Sequence, residues 1–468
     1  MRIPGSEVTR LALVGALLNG SAQRRRILKK FRNKHRAVAP EIGLDVNMLI
    51  SVCAGLEKRE SRYRIFFTAA IILFFLLSGF ESVFGGVIFV ITLLTYLYKS
   101  AQEQFSIAPN FSQNAYTPDS ISQQYPFPEN LQRQDASVES VNVVTYTGYN
   151  PFYALGDVTE RISFSVDLQK TPHEKTATSF NAGELYRAID KAVLADSKHN
   201  IKIRDYLFVH GKDVKKIEGF LPDRFSRPVF KLPETEMAKW MGGKDVRARY
   251  YKCVAVQDWG NELIVSYLMR FTIENEQLLV EITSNILTPV KEEYRRLDNR
   301  SNMKFFGKIF WAILVLMIAP FATVKSAMTA FSILVGKLRE VCGFGHDRIT
   351  RKRIERTPNY DYGAEMPIRQ EMAGHTYRHY FQSMDGGLYE KALRQRLMET
   401  IISFLEYKGV DVSALRESQS TIINSGIMVY GGDVTAQSLS VGKNSRSSVA
   451  NVVKNAANRA MGAKKEAA

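Results

Sequence analysis

The sequence has few of the residues that usually carry chemistry. Its 468 residues include 3 cysteines, Cys53, Cys253 and Cys342, and 7 histidines. Cysteines so few and so far apart exclude a disulfide framework and a thiolate metal site, and they fit a reducing compartment. The sequence also lacks a phosphate loop, a dinucleotide fingerprint, a nucleophile elbow and a paired-carboxylate motif. We therefore predict no catalytic, cofactor-binding or metal-binding residues, and a non-enzymatic role is favoured without being settled.

Three short features come nearest to a chemical site. His375 and His379 are four residues apart and would share one face of a helix, but no zinc-protease glutamate and no third ligand accompany them. Aromatic-rich packing explains them better. His210 and Asp213 follow a predicted strand, as catalytic loops can, although a plain hairpin turn explains them too. Glu81 is the only charge in the first apolar run. Such charges are functional suspects, but we expect this one in a loop at headgroup depth.

Positive charge is concentrated at the two ends of the chain. Residues 1–64 carry 14 lysines and arginines against 5 acidic residues, and residues from 305 onward carry 22 against 14. Residues 101–304, in contrast, carry 26 against 27. Basic segments next to apolar runs are typical of cytoplasmic flanks that meet anionic lipid. The dense run from Arg24 to Arg36 also allows nucleic-acid binding, but we expect no specific binding of that kind.

Ile65 to Tyr98 form the first apolar run. One straight helix of this length would measure about 50 Å, whereas a bilayer core is about 30 Å thick. Splitting the run at residues 79–82 leaves two helices of about 25 Å each. We therefore predict a transmembrane hairpin over 65–98, in which Gly85 and Gly86 let the helices pack closely.

A second apolar run extends from Phe305 to Val335. Its stretch Ile309–Val324 is uncharged and contains Pro320, and beyond it apolar residues recur at helical spacing up to Val335. This pattern favours a transmembrane or re-entrant segment over 305–340. The alternative is an amphipathic hairpin buried in a soluble domain. An even number of crossings would keep the central domain and both termini in the cytoplasm, whereas two single spans would place that domain outside.

The predicted fold class is a membrane protein with a central α+β domain. Three strand-like runs, Arg249–Asp258, Glu262–Glu274 and Gln277–Leu287, are separated by turn residues and predict an antiparallel meander. We divide the chain into a basic helical region 1–64, a transmembrane hairpin 65–98, a linker 99–139, an α+β domain 140–304, a second membrane segment 305–340, a helical region 341–417 and a Gly-rich β tail with a disordered end, 418–468.

Two helices outside the apolar runs have recognisable ends. Asp45 is placed to cap a helix that carries Leu44 and Met48 on its apolar face. Asp385 is placed to cap a second helix, which ends at Gly409. The Gly-rich tail has short strand-like runs with exposed edges, and we expect it either to mediate homo-oligomerisation or to be a flexible appendage.

Several short motifs occur together in a fixed order. They are Arg36-Ala-Val-Ala-Pro40, Gly148-Tyr-Asn-Pro-Phe152, Leu207-Phe-Val-His-Gly211, Phe220-Leu-Pro-Asp223, Thr288-Pro-Val290 and Thr421-Ile-Ile-Asn424. With them, most of the chain resembles a group of uncharacterised membrane proteins of actinobacteria. The resemblance implies a bacterial plasma membrane, and it implies no activity and no functional residues.

The leading functional hypothesis is a membrane-anchored sensor or scaffold whose α+β domain binds a ligand or a partner. One alternative is an oligomerising effector of bacterial stress or defence that acts on the membrane itself. Another is a membrane-bound enzyme with an unfamiliar site near His210, Asp213, His375 or His379.

Overall fold

A computed structural model describes residues 6–417 except 78–81, 130, 132, 135–139, 170, 172–177, 196–199, 244, 299–304 and 340–345. Glu81 and the tail 418–468 lie outside the described residues. The α-helices are α1 (Ser6–Leu18), α2 (Gly20–Arg32), α3 (Val46–Leu77), α4 (Ser82–Gln102), α5 (Pro118–Gln124), α6 (Ala182–Leu194), α7 (Glu234–Trp240), α8 (Phe305–Arg339), α9 (His346–Arg356), α10 (Ile368–Met372) and α11 (Tyr380–Tyr407). The strands are β1 (Val143–Tyr146), β2 (Asp157–Asp167), β3 (Ile201–His210), β4 (Ala248–Asp258), β5 (Leu263–Glu274) and β6 (Gln277–Leu287).

The strands form one six-stranded sheet in the order β1-β3-β4-β5-β6-β2. Strands β4, β5 and β6 pair as an antiparallel meander, as predicted. Strand β2 adds to the far side of β6 in antiparallel pairing. Strand β1 pairs with β3 in parallel and occupies the opposite edge. The described protein is therefore a mixed α/β fold, and its sheet is antiparallel except at one edge.

Protein covers both faces of this sheet. In β5, Val265, Tyr267 and Met269 pack with α6, α7 and α11 in one core cluster, whereas Ile264 and Leu268 face a second cluster. Successive side chains of a strand point to opposite faces, and a strand buried on both faces is accordingly apolar along its whole length. The second cluster is completed by residues that precede α3 and by the turn after β1, Ala39 and Phe152 among them.

A third core cluster lies among the N-terminal helices. It joins α1, α2 and the first half of α3 to Ile107, Phe111 and Ile121. Short helical turns over Glu103–Ile107 and Ala108–Phe111 bring these residues in, so part of the stretch 99–139 packs into the core. The same cluster contains residues just before α8 and residues of α10. The N-terminal helices thus share one core with residues on both sides of α8.

Local signals placed some helix ends correctly and one incorrectly. The Asp45 carboxylate accepts a hydrogen bond from the Met48 N–H at 2.9 Å, so the predicted cap is confirmed. Gly409 follows α11 with a positive φ, as a helix-ending glycine does. The prediction that Asp385 begins that helix was wrong. The helix begins at Tyr380, capped by His379 with Gln382, and the Asp385 carboxylate instead accepts a hydrogen bond from the Trp259 indole at 3.0 Å.

Candidate functional site: an apolar helix bundle and its ionic base

The most distinctive surface belongs to three helices that pack on one another: the second half of α3 from Ile65, α4, and α8 up to Val335. We call them the apolar bundle. Gly85, Thr92, Ala319 and Thr323 are buried, and the Phe67 ring of α3 lies against the Tyr96 ring of α4 with centroids 6.1 Å apart. Gly86, in contrast, faces open space. Small residues at contact positions allow close approach of helices without a large apolar core between them.

Large apolar side chains of the bundle point away from the protein. The phenylalanines exposed over more than half of their surface are Phe75, Phe84, Phe305, Phe306, Phe310, Phe321 and Phe331. Monomeric soluble proteins rarely expose contiguous apolar patches beyond a few hundred Å², and larger ones mark interaction surfaces for protein or membrane. In this bundle the apolar residues occur on all three helices.

Two helical stretches in the described residues are long and apolar enough to cross a membrane, judged by length and composition only. They are Val83–Phe111, with a mean hydropathy of 1.6, and Phe305–Val335, with 2.1. Only 17% and 6% of their most apolar windows are buried in protein, whereas the core helix of a soluble protein is mostly buried. Helix α8 is continuous through Pro320, so the second apolar run contains no break there.

An ionic cluster lies at the base of the bundle, where the apolar segments begin. The Lys99 ammonium is 2.8 Å from the Glu60 carboxylate, and the Arg64 guanidinium is 2.7 Å from that of Glu57. Arg24 of α2 approaches Glu57 at 3.6 Å. Arg64, Lys99 and Arg24 are buried, and buried charges persist only when they are paired. The cluster therefore joins α2, α3 and α4 at one level of the structure.

A second ionic group connects the bundle to the N-terminal core, and Arg10 of α1 is its centre. Its guanidinium binds both oxygens of Asp298, at 2.8 and 2.7 Å, and donates to the Phe111 carbonyl oxygen at 3.0 Å. Phe111 ends the helical turns that follow α4, and Asp298 comes just before α8. The Arg10 side chain, which is only 1% exposed, thus binds both the residues that follow α4 and those that precede α8.

Glu7 and Arg295 extend this group. Glu7 pairs with Arg10 at 2.7 Å and with Arg295 at 3.1 Å, and Arg295 also pairs with Glu262 at 2.5 Å. Burial alone would raise the pKa of Glu7, but hydrogen bonds and charge attraction from the two arginines outweigh it and lower that pKa. Burial opposes the charge of Arg10, yet its bonds to Glu7 and Asp298 raise its pKa. Both groups are therefore held in their charged forms.

Arg369 of α10 is a further buried charge that sequence reasoning missed. Its guanidinium donates to the carbonyl oxygens of Glu262 and Thr288, at 2.9 and 2.8 Å. Among the described residues, its Nε and Nη1 atoms have no hydrogen-bond partner. Burial lowers the pKa of Arg369 to about 10, because charge attraction from Glu262 and Glu41 offsets the desolvation only in part.

Arg10 and Arg369 have one sequence signal in common. Arg10 stands among buried apolar positions of α1, and Arg369 stands beside buried Ile368. A charge beside buried apolar residues indicates that the charged group is itself buried with polar partners, because an unpaired charge there would be strongly unfavourable. Which carboxylate or carbonyl oxygens are the partners depends on contacts between distant parts of the chain.

His210 is the last residue of β3, and Asp213 lies in the turn that follows it. This turn leads towards α7 and not directly into β4, so the interpretation as a hairpin turn was wrong. The Asp213 N–H donates to the His210 carbonyl oxygen at 2.8 Å, and the Asp213 carboxylate pairs with Lys216 at 2.7 Å. The carboxyl ends of the parallel strands β1 and β3 meet here, where α/β sheets often bind ligands. The Thr147 hydroxyl after β1 donates to the Asp361 carboxylate.

Three of the motifs behind the family resemblance meet next to this edge. Phe152 and Phe208 pack with ring centroids 5.3 Å apart, and Ala39 belongs to the same cluster. Phe152, Phe208 and Ala39 are buried among other apolar side chains, which indicates that these motifs build the fold.

His375 and His379 lie outside any helix, immediately before α11. The two side chains therefore do not share one face of a helix, which was the arrangement that a metal ion would have needed. His379 stacks on the Trp259 ring with centroids 5.9 Å apart, and in the described residues no group of three or more His, Cys, Asp or Glu side chains is placed to hold a metal ion. Cys53 and Cys253 are buried free thiols, and burial raises the pKa of each to about 12.

An open cleft of about 310 Å³ lies between α11 and the ends of β3 and β4. Tyr389, Arg396 and Glu399 of α11 contribute its polar side chains, and Ile201 and Val256 contribute apolar ones. The first half of α11 also carries exposed apolar residues at helical spacing, which we call the α11 stripe: Tyr380, Phe381, Met384 and Leu388.

A comparison with protein families matches residues 161–436, more than half of the chain, to a domain described as AbeC-like. The chain belongs to the AbeC-like domain family. The AbeC-like region begins within β2 and includes α8 and α11, whereas α1 to α5 and β1 precede it. This family is uncharacterised, so membership assigns no activity. No curated protein matches the chain. No solved structure matches it either.

Proposed function

We propose that this protein is a membrane-anchored sensor or scaffold: the apolar bundle contacts lipid, and the α+β domain binds a ligand or a partner. The observation that carries the proposal is the exposed apolar surface of α3, α4 and α8. In water this surface would impose a cost of roughly 25 cal/mol for each Å² of apolar area. Acyl chains would remove that cost on every side of the bundle at once.

The charge distribution supports an orientation. Basic residues are in excess before the first apolar run and after the second one begins, and Lys58, Arg62 and Lys308 lie near the base of the bundle. Lysines and arginines next to membrane segments favour the cytoplasmic side and its anionic lipids. We therefore place the α+β domain and the N-terminus in the cytoplasm, at a bacterial plasma membrane.

The α11 stripe and the neighbouring cleft support binding by the domain. Phe381 and Leu388 are exposed, and they belong to α11, which is not one of the bundle helices. An apolar stripe on one helix face is a common docking surface for a partner. Arg10 supports a sensing role, because it binds the roots of α4 and α8 and so couples the bundle mechanically to the core.

Flotation with vesicles of phosphatidylethanolamine and phosphatidylglycerol tests the anchor. The purified full chain should float with the vesicles and stay with them after alkaline carbonate washing. The double variant Phe310→Arg/Phe321→Arg should bind less well, because a charge at bilayer depth costs about 2.5–3.5 kcal/mol on insertion scales. The matched control Leu194→Arg changes an exposed leucine of the soluble domain and should float like the wild type. A wild-type chain that stays monodisperse in detergent-free buffer and does not float contradicts the anchor.

Photo-crosslinking in cells tests the binding role. A benzophenone side chain at position 381 should give discrete crosslinked products, because that position lies in the α11 stripe. The same probe at position 194, an exposed apolar position on α6, serves as the control. Equal and diffuse products at both positions would count against a specific partner.

A further inference from the structure

The two flanks of α8 bind the same N-terminal segment. Before the helix, Asp298 pairs with Arg10 of α1 at 2.7 Å. After the helix, Asp347 of α9 pairs with His35 at 2.6 Å. His35 is buried and belongs to the stretch that leads from α2 to α3.

Packing holds these flanks more firmly than the two ion pairs do. Tyr294 and Leu297, just before α8, belong to the same core cluster as Ile368 and Met372 of α10. Farther on, α11 packs on β5 of the sheet. Neither flank can be moved to the other side of a bilayer without dismantling a shared core.

If α8 crossed the whole bilayer, the few residues that follow it would be too short to bring the chain back to the first side. Its 35 residues extend about 52 Å, more than the bilayer core of about 30 Å. Only 6 residues, 340–345, separate it from α9, and they can reach about 22 Å at most. A return through the core in non-helical form would also leave peptide groups unsatisfied in lipid.

We infer that α8 does not cross the bilayer: it enters and leaves the apolar phase on the side of the α+β domain and contacts the acyl chains of one leaflet. The inference rests on the proposed lipid contact and adds its geometry. Lipid is the occupant because exposed apolar residues surround the bundle on α3, α4 and α8, whereas a second copy would cover one side.

Helices α3 and α4 together also enter and leave the apolar phase on one side. The N-terminal half of α3 and the turns after α4 both lie in the N-terminal core, so this pair also starts and ends on one side. Its apolar parts, Ile65–Leu77 and Val83–Tyr98, extend only about 20 and 25 Å. Every described element outside the bundle therefore lies on one face of the membrane.

Thiol labelling of the full chain in native membranes tests this inference, with the native Cys342 as a reporter after α8. The reporter before α8 is Ser301→Cys in a Cys342→Ser background, and Thr357→Cys in the same background marks the domain. Cys53 and Cys253 are silent because both are buried. An impermeant maleimide should label all three reporters in inverted vesicles and none of them in intact spheroplasts.

Labelling of Cys342 from the face opposite to Ser301→Cys would overturn the inference, because α8 would then cross. Protection of Cys342 on both faces until detergent is added would overturn it too, because the end of α8 would then lie in the apolar phase. Carbonate extraction of the same membranes separates this failure from that of the anchor, which shows as release of the protein. For the lipid contact, the fluorescence that Phe321→Trp adds to that of the native Trp240, Trp259 and Trp311 should be quenched with acyl-brominated lipids. An unquenched signal from a stoichiometric dimer would assign the surface to a second copy.

Discussion

The sheet and the apolar bundle use the same kinds of side chain in opposite surroundings. In β5, Phe271 is 0% exposed because α6 and β6 pack against it. In α8, Phe321 is 79% exposed, although its neighbours in sequence are just as apolar. Other side chains of the protein surround the Phe271 ring, whereas the Phe321 ring faces the medium outside the protein.

The difference teaches that hydrophobicity alone does not say what solvates a residue. The sheet has apolar residues in alternation on two covered faces, and the bundle has them around whole helices. Charges follow the same division, because the buried ion pairs of Arg10, Arg64 and Lys99 lie where the two regions meet. The predictions below probe this division, beginning at the junction.

Removal of Arg10 should have the largest effect, because it leaves the carboxylates of Glu7 and Asp298 without their main partner. We expect Arg10→Met to lower the free energy of unfolding by about 3–5 kcal/mol, the range for breaking a buried ion pair. Chemical denaturation of the detergent-solubilised protein measures it. The control Arg26→Met removes an exposed pair with Glu371 and should cost less than about 1 kcal/mol. If Arg10→Met lowered the free energy of unfolding no more than this control does, the ion pairs of Arg10 would not stabilise the contact between the bundle and the core.

Truncation of one ring in each region contrasts them directly. Phe271→Ala should cost about 3–5 kcal/mol because it leaves a cavity between α6 and the sheet. Phe321→Ala should cost well under about 1 kcal/mol in detergent, since the micelle fills the space that the ring leaves. The same denaturation assay reports both variants. Similar losses would mean that the bundle surface is covered by protein.

Two glycines test the close packing of the domain against the openness of the bundle. A Cβ on Gly211 would lie 2.0 Å from the Asp361 carboxylate and 2.2 Å from the Gly363 nitrogen. Gly211→Ala should therefore cost about 1–3 kcal/mol, the range for overpacking. Gly86→Ala meets nothing within 4 Å and should be neutral or slightly stabilising. Differential scanning fluorimetry can rank them, and the reverse order would contradict the described contacts.

A change of pH should have the smallest effect, through Glu7. Its pKa is lowered in the folded state from an ordinary value of 4.5, so the folded protein prefers the carboxylate. The stability from this preference is complete above pH 4.5 and is lost as the pH falls through the lowered pKa. Glu7→Gln should be less stable at neutral pH and should lose less stability on acidification. Parallel pH profiles for the two proteins would refute this role for Glu7.

Sequence patterns predicted the meander closely, because the alternation and the turn residues that define it are local. The strand Gln277–Leu287 agrees with the structure, and the strands β4 and β5 differ from the predicted bounds by one residue at their starts. The parallel pairing of β1 with β3 was not predicted. These strands are far apart in sequence, and only the packing of both sheet faces brings them together.

The candidate site was predicted in outline and missed in detail. Hydropathy marked both apolar runs, but no local rule gave the partners of Arg10, Asp298 or Arg369, because those partners are distant in sequence. Charge spacing favoured Asp385 as a cap, whereas the Trp259 indole binds it in the folded chain.

The order of residues by itself determined which stretches are apolar throughout, which ones alternate, and where positive charge accumulates. Those properties depend on side chains a few positions apart, which lie on the same face of a helix or a strand. Only the tertiary structure decided that both flanks of α8 belong to one core and that Arg10 joins the residues after α4 to those before α8. Ion pairs and packing between residues hundreds of positions apart depend on how the whole chain closes, and no short segment contains that information.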